Sequence, residues 1–306
     1  MAQKKKTFDR RSLRQVLDGV RGDVVFQAPL DACTSLRIGG PADVLVVPAD
    51  LDDVCKLVRQ AKGGKIPVFI MGGTNVLVRD GGIRGIVIQL TRLNRMRMET
   101  GDILYAQAGV RMPTLLGHAI RRSLSGLEWA AGIPGTVGGG VITNAGTKLG
   151  EMKDVLRAIE LVDDRGIVKR VEASKLAFAY RYARVPKRVI VGAWFQLVHA
   201  TKTQIESRSK GYLRYRKETQ PLTLPNAGSI FKNPAEGSAG SLIEEVGLKG
   251  VQVGDAQVSP KHGNFIVNTG NASAADVLRL IQKIRRVVSL KTGVKLQLEL
   301  KVVGER

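Results

Sequence analysis

Six glycines gathered in residues 127–146, LEWAAGIPGTVGGGVITNAG, are the strongest chemical signal in this sequence. Glycine adopts backbone conformations that other residues avoid, and successive N–H groups in such a turn form a concavity that suits a phosphate group. The segment has neither the Gly-Lys-Ser/Thr ending of a Walker loop nor the Gly-x-Gly-x-x-Gly spacing of a dinucleotide fingerprint. A glycine-rich surface loop is the alternative. Because Trp129, Ile133 and Val137 are apolar and Glu128 is the only charged residue, we predict a segment buried against a ligand.

A second glycine turn, Gly72-Gly73-Thr74-Asn75, follows a predicted buried strand at 66–71. A strand, a tight polar turn and a second strand can direct consecutive N–H groups and a threonine hydroxyl at a diphosphate. Taken alone this signal is weak, because most Gly-Gly turns only reverse the chain. Together, the two glycine clusters predict two loops that grip one diphosphate.

The elements that must position these turns are strands and helices in mixed order. Apolar and alternating runs predict strands at 42–48, 66–71, 76–78, 86–90, 103–108, 155–162, 167–172, 188–198, 256–258, 264–267 and 295–303. Capping residues and apolar periodicity predict helices from Asp50 to Gly63, from Pro113 to near Gly126, from Thr201 to Thr219, near 241–246 and from Ser273 to about Leu290. The polar, basic helix at 201–219 indicates a boundary between a mixed α/β body and a C-terminal unit.

Composition limits the class of protein. The 306 residues suffice for two or three domains, and 43% hydrophobic residues is typical of a soluble globular chain. No stretch approaches the roughly 18 apolar residues of a membrane helix, and the basic N-terminus lacks the apolar region of a secretory signal. We therefore expect a cytoplasmic protein. Cys33 and Cys55 have no metal-ligand spacing, so no metal site is expected.

The net charge of +21 would attract polyanions. Because of this charge, nucleic-acid binding by a basic protein is an alternative function. Against this, aromatic residues make up only 5% of the chain and no recognition motif is present. We therefore expect no specific nucleic-acid partner.

Segments spread over residues 30 to 304 resemble the family of UDP-N-acetylenolpyruvoylglucosamine reductases, flavoenzymes of bacterial cell-wall (peptidoglycan) precursor synthesis. In the first half they are TSLRIGGPAD (34–43), GGTNVLV (72–78), AGIPGTVGG (131–139), NAG (144–146) and FAYRYA (178–183). In the second half they are AGSIFKNP (227–234), LIEEVGLKG (242–250), KHGNFIVN (261–268) and LQLELKVVG (296–304). Their common order along the chain, rather than any one segment, carries the resemblance.

The resemblance implies an α+β fold with a vanillyl-alcohol-oxidase-type FAD-binding body. That body comprises two α/β subdomains at residues 1–85 and 86–200, followed by a C-terminal α+β substrate domain at 201–306. The last strand of this domain could return to the FAD body. The spacing between Arg181 and Ser229 is similar to that of the family's shorter type, which lacks an extra tyrosine-bearing substrate loop.

The resemblance also implies non-covalent FAD, with NADPH as co-substrate and a UDP-sugar enolpyruvate as substrate. The pyrophosphate of FAD is expected on the two glycine loops. The implied cofactor-binding residues are Gly72, Gly73, Thr74, Asn75, Gly132, Ile133, Pro134, Gly135, Thr136, Gly138, Gly139 and Asn144. A monomer without a membrane span is expected.

The family reaction reduces an enol ether conjugated to a carboxylate, so negative charge builds toward the carboxylate. The resemblance implies that Arg181 stabilises this charge, that Ser229 gives a proton to the carbon bonded to the ether oxygen, and that Glu299 acts as an acid or orients the arginine. The local sequence alone favours a surface or cation–π arginine, a turn serine and a solvent-exposed glutamate. The implied substrate contacts are Tyr180, Lys217, Asn233 and Asn264.

The chain departs from the family pattern at four positions, none of them catalytic. Thr74 keeps the hydroxyl of the usual serine, whereas Ala183 lacks one. Gly140 and Thr143 stand where the family commonly has an alanine and an apolar residue.

The predicted function is the NADPH-dependent reduction of UDP-N-acetylglucosamine enolpyruvate to UDP-N-acetylmuramate through FAD. An FAD-dependent oxidase of the same fold is the enzyme alternative. Many such oxidases tether flavin through a histidine in the pyrophosphate-loop region, and residues 60–90 contain no histidine.

Overall fold

The computed structural model describes residues 8–186, 188–235 and 237–306, and its elements belong to two units of the chain. Unit one comprises the chain up to Phe26, Val44–Gly72 and Gly85–Tyr215. Unit two comprises Gln27–Asp43, Gly73–Arg84 and Arg216–Arg306. The division into domains at 1–85, 86–200 and 201–306 stays a prediction.

Within the described ranges, short strands and helices alternate along the chain. The strands are β1 (Asp23–Pro29), β2 (Pro41–Val47), β3 (Val68–Ile70), β4 (Val76–Val78), β5 (Ile83–Ile88), β6 (Met96–Glu99), β7 (Ile103–Gln107), β8 (Leu124–Ser125), β9 (Gly146–Thr147), β10 (Gly150–Glu151), β11 (Leu156–Val162), β12 (Val168–Glu172), β13 (Ala177–Ala179), β14 (Tyr182–Arg184), β15 (Val189–Gln196), β16 (Val198–His199), β17 (Asn226–Ser229), β18 (Gln252–Val253), β19 (Ala256–Val258), β20 (Phe265–Asn268) and β21 (Lys301–Val303). The helices are α1 (Arg10–Val16), α2 (Leu51–Gly63), α3 (Met112–Arg121), α4 (Val137–Ile142), α5 (Met152–Val155), α6 (Lys202–Thr219), α7 (Ala239–Glu245) and α8 (Ala274–Thr292).

The main sheet of unit one is antiparallel, with strand order β12-β11-β15-β7-β6. Its central strand β15 has the apolar run VIVGAWF, and every residue of that run is buried. Such a continuous apolar strand requires cover on both faces. Leu115 and Ala119 of α3 belong to the same core cluster as Val191 and Phe195 of β15.

A four-stranded sheet with order β1-β2-β5-β3 contains the parallel pair β3 and β5. Helix α2 connects β2 to β3. Its residues Val54, Leu57, Val58 and Ala61 are buried at the spacing that places them on one face. Asp50 caps the helix by accepting a hydrogen bond from the Asp53 N–H (3.0 Å).

The carboxylate of Asp53 is buried, and it is bonded mainly to the backbone, with Arg21 Nε 3.5 Å from one of its oxygens. It accepts hydrogen bonds from the N–H groups of Arg21 (3.1 Å), Gly22 (2.8 Å) and Ala49 (3.0 Å). Burial opposes its ionisation, but these N–H groups and the Arg21 charge outweigh it and lower the pKa of Asp53. The ionised side chain therefore joins the chain before β1 to the start of α2.

Unit two contains an antiparallel sheet of order β17-β20-β19-β18, which α8 covers. The buried side of α8 comprises Ala274, Val277, Leu280, Ile281, Ile284 and Val288. A capping box between Ser273 and Asp276 opens the helix, and Gly293 closes it with φ 73°. The helix predicted from Ser273 is therefore confirmed.

The last predicted strand is shorter than expected. Only Lys301–Val303 forms a regular strand, which pairs in parallel with β4. In the preceding residues, Leu298 makes a single bridge with Phe231, and Gln297 accepts a hydrogen bond from the Lys232 N–H (2.8 Å). This isolated pairing with the residues after β17 replaces the regular ladder that the alternation predicted.

None of the helices in the described ranges has the length and apolar character that a membrane-spanning segment requires.

Candidate active site

The glycine-rich segment lies in unit one and is part of its core rather than a free loop. Trp129 is 2% exposed and Val137 is fully buried. Gly132 and Gly135 have φ values of 71° and 103°, which side chains disfavour. The last part of the segment forms helix α4. Pro134 and Ile142 are nevertheless exposed, and the predicted burial of the segment against a ligand stays a prediction.

Two N–H groups of this segment are occupied by unit one itself. Val137 donates to the carbonyl of Val110 (2.9 Å), and Gly138 donates to the carbonyl of Ala108 (2.9 Å). These bonds anchor the first turn of α4, so the two N–H groups are not presented to a phosphate in this conformation. The predicted contact of Gly138 with the cofactor stays a prediction.

The glycines of α4 differ in what a side chain at each position would contact. An added Cβ at Gly138 would lie 3.1 Å from Ala108 Cβ, and one at Gly140 would lie 2.6 Å from Met152 Cε. At Gly139 the nearest neighbour would be Thr136 Oγ1 at 3.8 Å, an ordinary contact. A side chain at Gly138 would therefore require a small shift of Ala108, and one at Gly140 would require the flexible Met152 side chain to move, whereas one at Gly139 would displace nothing. At the departure Gly140, the Met152 methyl group, the far end of a flexible side chain, lies in the space that an alanine Cβ would take.

Tyr180 and Arg181 form the turn of a hairpin between β13 and β14, which pair antiparallel. Arg181 has φ 56°, an uncommon conformation for a residue with a long side chain. Its guanidinium lies 5.1 Å from the centroid of the Tyr180 ring, the cation–π contact that the local sequence favours. Such local strain is frequent at functional sites.

Asn144 connects the glycine-rich segment to this hairpin. The residue is fully buried with φ 42°. Its amide nitrogen donates to the carbonyl of Ala179 (3.3 Å), and its amide oxygen accepts from the Lys153 N–H (3.0 Å). Asn144 therefore holds the strand that leads to Tyr180 and Arg181. Its predicted contact with the cofactor stays a prediction.

The second glycine turn begins at Gly72 and continues in unit two. Gly73 has φ 79°, and an added Cβ there would lie 2.3 Å from the Cys33 carbonyl oxygen. At Gly72, by contrast, an added Cβ would contact no atom of the described residues within 4 Å. Only Gly73 is therefore required by the conformation and packing of the chain.

Asn75 fixes this turn to the segment that carries Glu299. Its amide nitrogen donates to the Glu299 carbonyl (3.3 Å), and its own carbonyl accepts from the Lys301 N–H (3.2 Å). The amide oxygen of Asn75 is buried, and none of the described residues gives it a hydrogen bond. A buried acceptor normally has a donor, so this oxygen is suited to a ligand group.

Ser229 and Glu299 are brought together within unit two. Ser229 ends β17 opposite Phe265, after a register shift at which Gly228 has φ 75°. The next residue, Ile230, accepts a hydrogen bond from the Glu299 N–H (2.9 Å). Both Ser229 and Glu299 are half-buried. Glu299 is therefore less exposed than the local sequence favours, and its role stays a prediction.

Asn264 has its side chain occupied by the backbone. It is 4% exposed, its amide oxygen accepts from the Phe231 N–H (2.9 Å), and its amide nitrogen donates to the Phe231 carbonyl (2.8 Å). The carbonyl of Asn264 also accepts from the Ile230 N–H (2.9 Å). These bonds hold the chain that follows Ser229. A substrate contact of Asn264 stays a prediction.

The two other predicted substrate residues of unit two are exposed. The amide oxygen of Asn233 accepts a hydrogen bond from the N–H of Ala239 at the start of α7 (3.1 Å). Lys217 lies in the last turn of α6, and its carbonyl accepts from Lys261 Nζ (2.5 Å). Both substrate assignments stay predictions.

His262 lies beside Asn264 but belongs to the structural framework. Its Nδ1 accepts a hydrogen bond from the Asn264 N–H (3.1 Å), and its ring packs on Phe265 with centroids 4.8 Å apart. Burial lowers the pKa of His262. The imidazole is therefore neutral at pH 7, as the acceptor role of Nδ1 requires.

Sequence reasoning did not identify Ser35. Its hydroxyl donates to the Asn226 carbonyl (2.7 Å), and its N–H donates to the Gly73 carbonyl (2.8 Å). The sequence signal that could have indicated Ser35 is its position within TSLRIGGPAD, a segment that resembles the family and for which no role in the site was predicted.

Among the described residues, no cluster of His, Cys, Asp and Glu is suited to hold a metal ion.

Comparison with known proteins gives two family matches. Residues 42–172 match the FAD binding domain, and residues 220–303 match the UDP-N-acetylenolpyruvoylglucosamine reductase, C-terminal domain. The predicted fold class, an FAD-binding body followed by the C-terminal domain of this family, is thereby confirmed.

Curated relatives and a solved structure match over almost the full chain. The UDP-N-acetylenolpyruvoylglucosamine reductase of Caldanaerobacter subterraneus subsp. tengcongensis is 41% identical, with 96% of this chain and 97% of that protein covered. The one of Syntrophus aciditrophicus is 44% identical, with 95% of each covered. The crystal structure of the reductase from Thermus caldophilus has a TM-score of 0.79 and 37% identity, covering 92% of this chain and 99% of that one.

Proposed function

Because this chain belongs to the UDP-N-acetylenolpyruvoylglucosamine reductase family, we propose that it reduces UDP-N-acetylglucosamine enolpyruvate to UDP-N-acetylmuramate with NADPH, using non-covalently bound FAD. The observation that carries this proposal is the match of an FAD-binding domain and the family's C-terminal domain in one chain, together with relatives that match over almost its full length. The reaction belongs to peptidoglycan precursor synthesis.

Features of both glycine segments fit FAD. The protein has space for a side chain at Gly139 and at Gly72, yet both positions are glycine. Glycine at such positions is expected where a ligand approaches the backbone closely. The buried amide oxygen of Asn75 is suited to accept a hydrogen bond from a ligand. We assign the cofactor to the twelve predicted residues, with the backbone N–H groups of Val137 and Gly138 excluded as phosphate donors.

Bound FAD would supply hydride transfer, first from NADPH and then to the terminal carbon of the enolpyruvyl double bond. The remaining chemistry belongs to the side chains. The guanidinium of Arg181 stabilises the negative charge that develops toward the substrate carboxylate, because it stays charged and can bind a carboxylate in a bidentate manner. The hairpin turn and the Asn144 contact to Ala179 restrict the position of this arginine.

Ser229 gives a proton to the carbon bonded to the ether oxygen. A serine hydroxyl is a weak acid, so the step requires a strongly basic carbon and a neighbour that returns the proton to the serine. Glu299 is the first candidate for this neighbour, because its N–H is bonded to the carbonyl of Ile230, the residue after Ser229. Lys232, half-buried and three residues further along, is the second candidate.

Substrate binding is assigned to Tyr180, Lys217, Asn233 and Asn264. Lys217 would contact the UDP phosphates as a point charge. We further propose a cytoplasmic monomer. Size-exclusion chromatography with light scattering tests the oligomeric state, with a mass near 33.1 kDa expected.

The decisive experiment is an absorbance spectrum of the purified protein, followed by NADPH and then the enolpyruvyl UDP-sugar. We expect a flavin spectrum that bleaches on addition of NADPH and returns on addition of the substrate under anaerobic conditions. A protein that neither carries FAD nor binds it when added would contradict the proposal. Oxygen consumption with alcohols or sugars, without reoxidation by the enolpyruvyl substrate, would support the oxidase alternative.

A further inference from the structure

Ser35 lies between two elements of unit two that the proposed function uses. Its hydroxyl donates to the carbonyl of Asn226 (2.7 Å), the first residue of β17, which ends at Ser229. Its N–H donates to the carbonyl of Gly73 in the second glycine turn (2.8 Å). The hydroxyl also lies 3.5 Å from the carbonyl of Thr74. One residue therefore connects the turn to the strand that carries Ser229.

The residues on either side hold Ser35 in place. The Thr34 hydroxyl donates to the Ile38 carbonyl (2.9 Å) and accepts from the Ile38 N–H (3.1 Å). The Leu36 side chain is fully buried, and its carbonyl accepts from the amide nitrogen of Asn268 (3.2 Å). Because both neighbours are anchored, the Ser35 hydroxyl is directed by a fixed backbone and not by a mobile loop.

The strand needs this contact because its pairing with β20 is irregular. Asn226 pairs with Val267 and Ser229 pairs with Phe265, with a register shift between them. A shift of this kind interrupts the ladder and redirects the side chain that follows. The side chain of Asn226 is engaged with Pro221, Leu224 and Gly228. The Ser35 hydroxyl therefore connects β17 to the second glycine turn at Asn226, next to the register shift.

We propose that Ser35 is a positioning residue for proton transfer, acting through Ser229. The inference depends on the proposed function, in which the second glycine turn contacts the cofactor and Ser229 gives the proton. Proton transfer requires donor and acceptor atoms at hydrogen-bonding distance, so a small displacement of β17 relative to the turn slows that step. Hydride transfer from NADPH does not use Ser229 and does not depend on the hydrogen bond from Ser35 to Asn226.

The test compares the two half-reactions in rapid-mixing experiments with Ser35→Ala. The loss of one neutral hydrogen bond that leaves its acceptor unsatisfied predicts about tenfold slower flavin reoxidation by the enolpyruvyl substrate. Flavin reduction by NADPH is expected to stay within about twofold of the wild type. Ser241→Ala is the matched control, because Ser241 is an exposed serine of α7 in the same unit. It is expected to change neither rate.

Two further variants separate a positioning role from a general structural one. Ser35→Thr keeps the hydroxyl and is expected to restore most of the reoxidation rate. Ser35→Cys has a weak donor and is expected to stay slow. If Ser35→Ala does not fold, the comparison of the Thr and Cys variants decides the question. Equal rates for these two variants would overturn the proposal.

The double variant Ser35→Ala/Ser229→Ala tests whether Ser35 acts through Ser229. We expect it to reoxidise no more slowly than Ser229→Ala alone. A further tenfold loss, or an equal slowing of both half-reactions in Ser35→Ala, would refute the positioning role and leave the proposed function intact. If the wild-type flavin is not reduced by NADPH or not reoxidised by the substrate, the proposed function fails, and the role of Ser35 fails with it.

Discussion

Gly139→Ala is expected to stabilise the cofactor-free protein while weakening FAD binding. In the interior of a helix, alanine is favoured over glycine by about 1 kcal/mol. An added Cβ at Gly139 would have its nearest contact at 3.8 Å, so no steric cost opposes this gain. Because α4 is short, we expect a stabilisation of about 0.5–1 kcal/mol. For a chain of 306 residues, this corresponds to a rise in Tm of about 1–3 °C.

The effect on the cofactor has the opposite sign. If FAD packs against the backbone of Gly139, the new methyl group occupies the space of the ligand. Overpacking a close contact costs about 1–3 kcal/mol. The Kd for FAD should therefore rise by about fivefold to 150-fold. Consequently, FAD should raise the Tm of the variant less than that of the wild type.

Thermal unfolding of the flavin-free protein, with and without FAD, and a fluorescence titration with FAD measure both effects. Gly140→Ala is the control, because its Cβ would lie 2.6 Å from Met152 Cε and force that side chain to move. Because alanine has the same helix preference at this position, we expect Gly140→Ala to raise the Tm of the flavin-free protein less than Gly139→Ala does. Unchanged FAD affinity in Gly139→Ala would refute the inference that Gly139 is a glycine because of the cofactor. A lower Tm of its flavin-free form would refute the helix argument.

Three further changes and one binding assay test other parts of the structure. Ser229→Ala should leave flavin reduction by NADPH nearly intact and slow reoxidation by substrate in rapid-mixing experiments; equal loss in both would refute a proton-donor role. Asp53→Asn should lower the free energy of unfolding at pH 7 by about 2 kcal/mol, since hydrogen bonds to a charged acceptor are lost. The folded-state pKa of Asp53 is lowered, so its ionised carboxylate contributes stability above pH 3.8, and this contribution is lost as the pH falls through the folded pKa. Urea unfolding should therefore show the stabilities of the wild type and Asp53→Asn converging in acid. A stability difference that is independent of pH would contradict this. Asn144→Ala should lower the free energy of unfolding by about 2 kcal/mol, because it leaves the Ala179 carbonyl and the Lys153 N–H without their partner. Urea unfolding measures this loss, and a clearly smaller loss would mean that the two bonds contribute little. Binding to duplex DNA should disappear at about 150 mM salt, and sub-micromolar affinity there would support the nucleic-acid alternative.

The helices that the sequence predicted well carry their own start and stop signals. Helix α2 follows Asp50 and ends at Gly63, and α8 follows the Ser273 capping box and ends before Gly293. Helix α3 ends earlier than predicted, at Arg121, because Ser123 has φ 57° and Leu124 pairs with His199 in a short strand. That partner is distant in sequence, so local signals could not reveal it.

Helix α4 was not predicted, because successive glycines are poor helix formers. Its first N–H groups are bonded to the carbonyls of Val110 and Ala108, so tertiary contacts rather than propensity fix the helix. The same limit applies to the candidate site. The bond from Glu299 N–H to the Ile230 carbonyl, which places Glu299 near Ser229, joins segments far apart in sequence. Only the family resemblance could select these two residues in advance.

The glycines of residues 127–146, which indicated a phosphate site, have several different physical causes. Gly132 and Gly135 are favoured by their φ values, and a side chain at Gly138 or Gly140 would have to displace Ala108 or the Met152 methyl group. Only a glycine that neither conformation nor packing of the chain requires points to an external partner. Gly139 meets that criterion in the first cluster. The evidence for a ligand in this segment therefore depends on one residue rather than on the density of glycine, and for that reason Gly139→Ala is a stricter test than any change at its glycine neighbours.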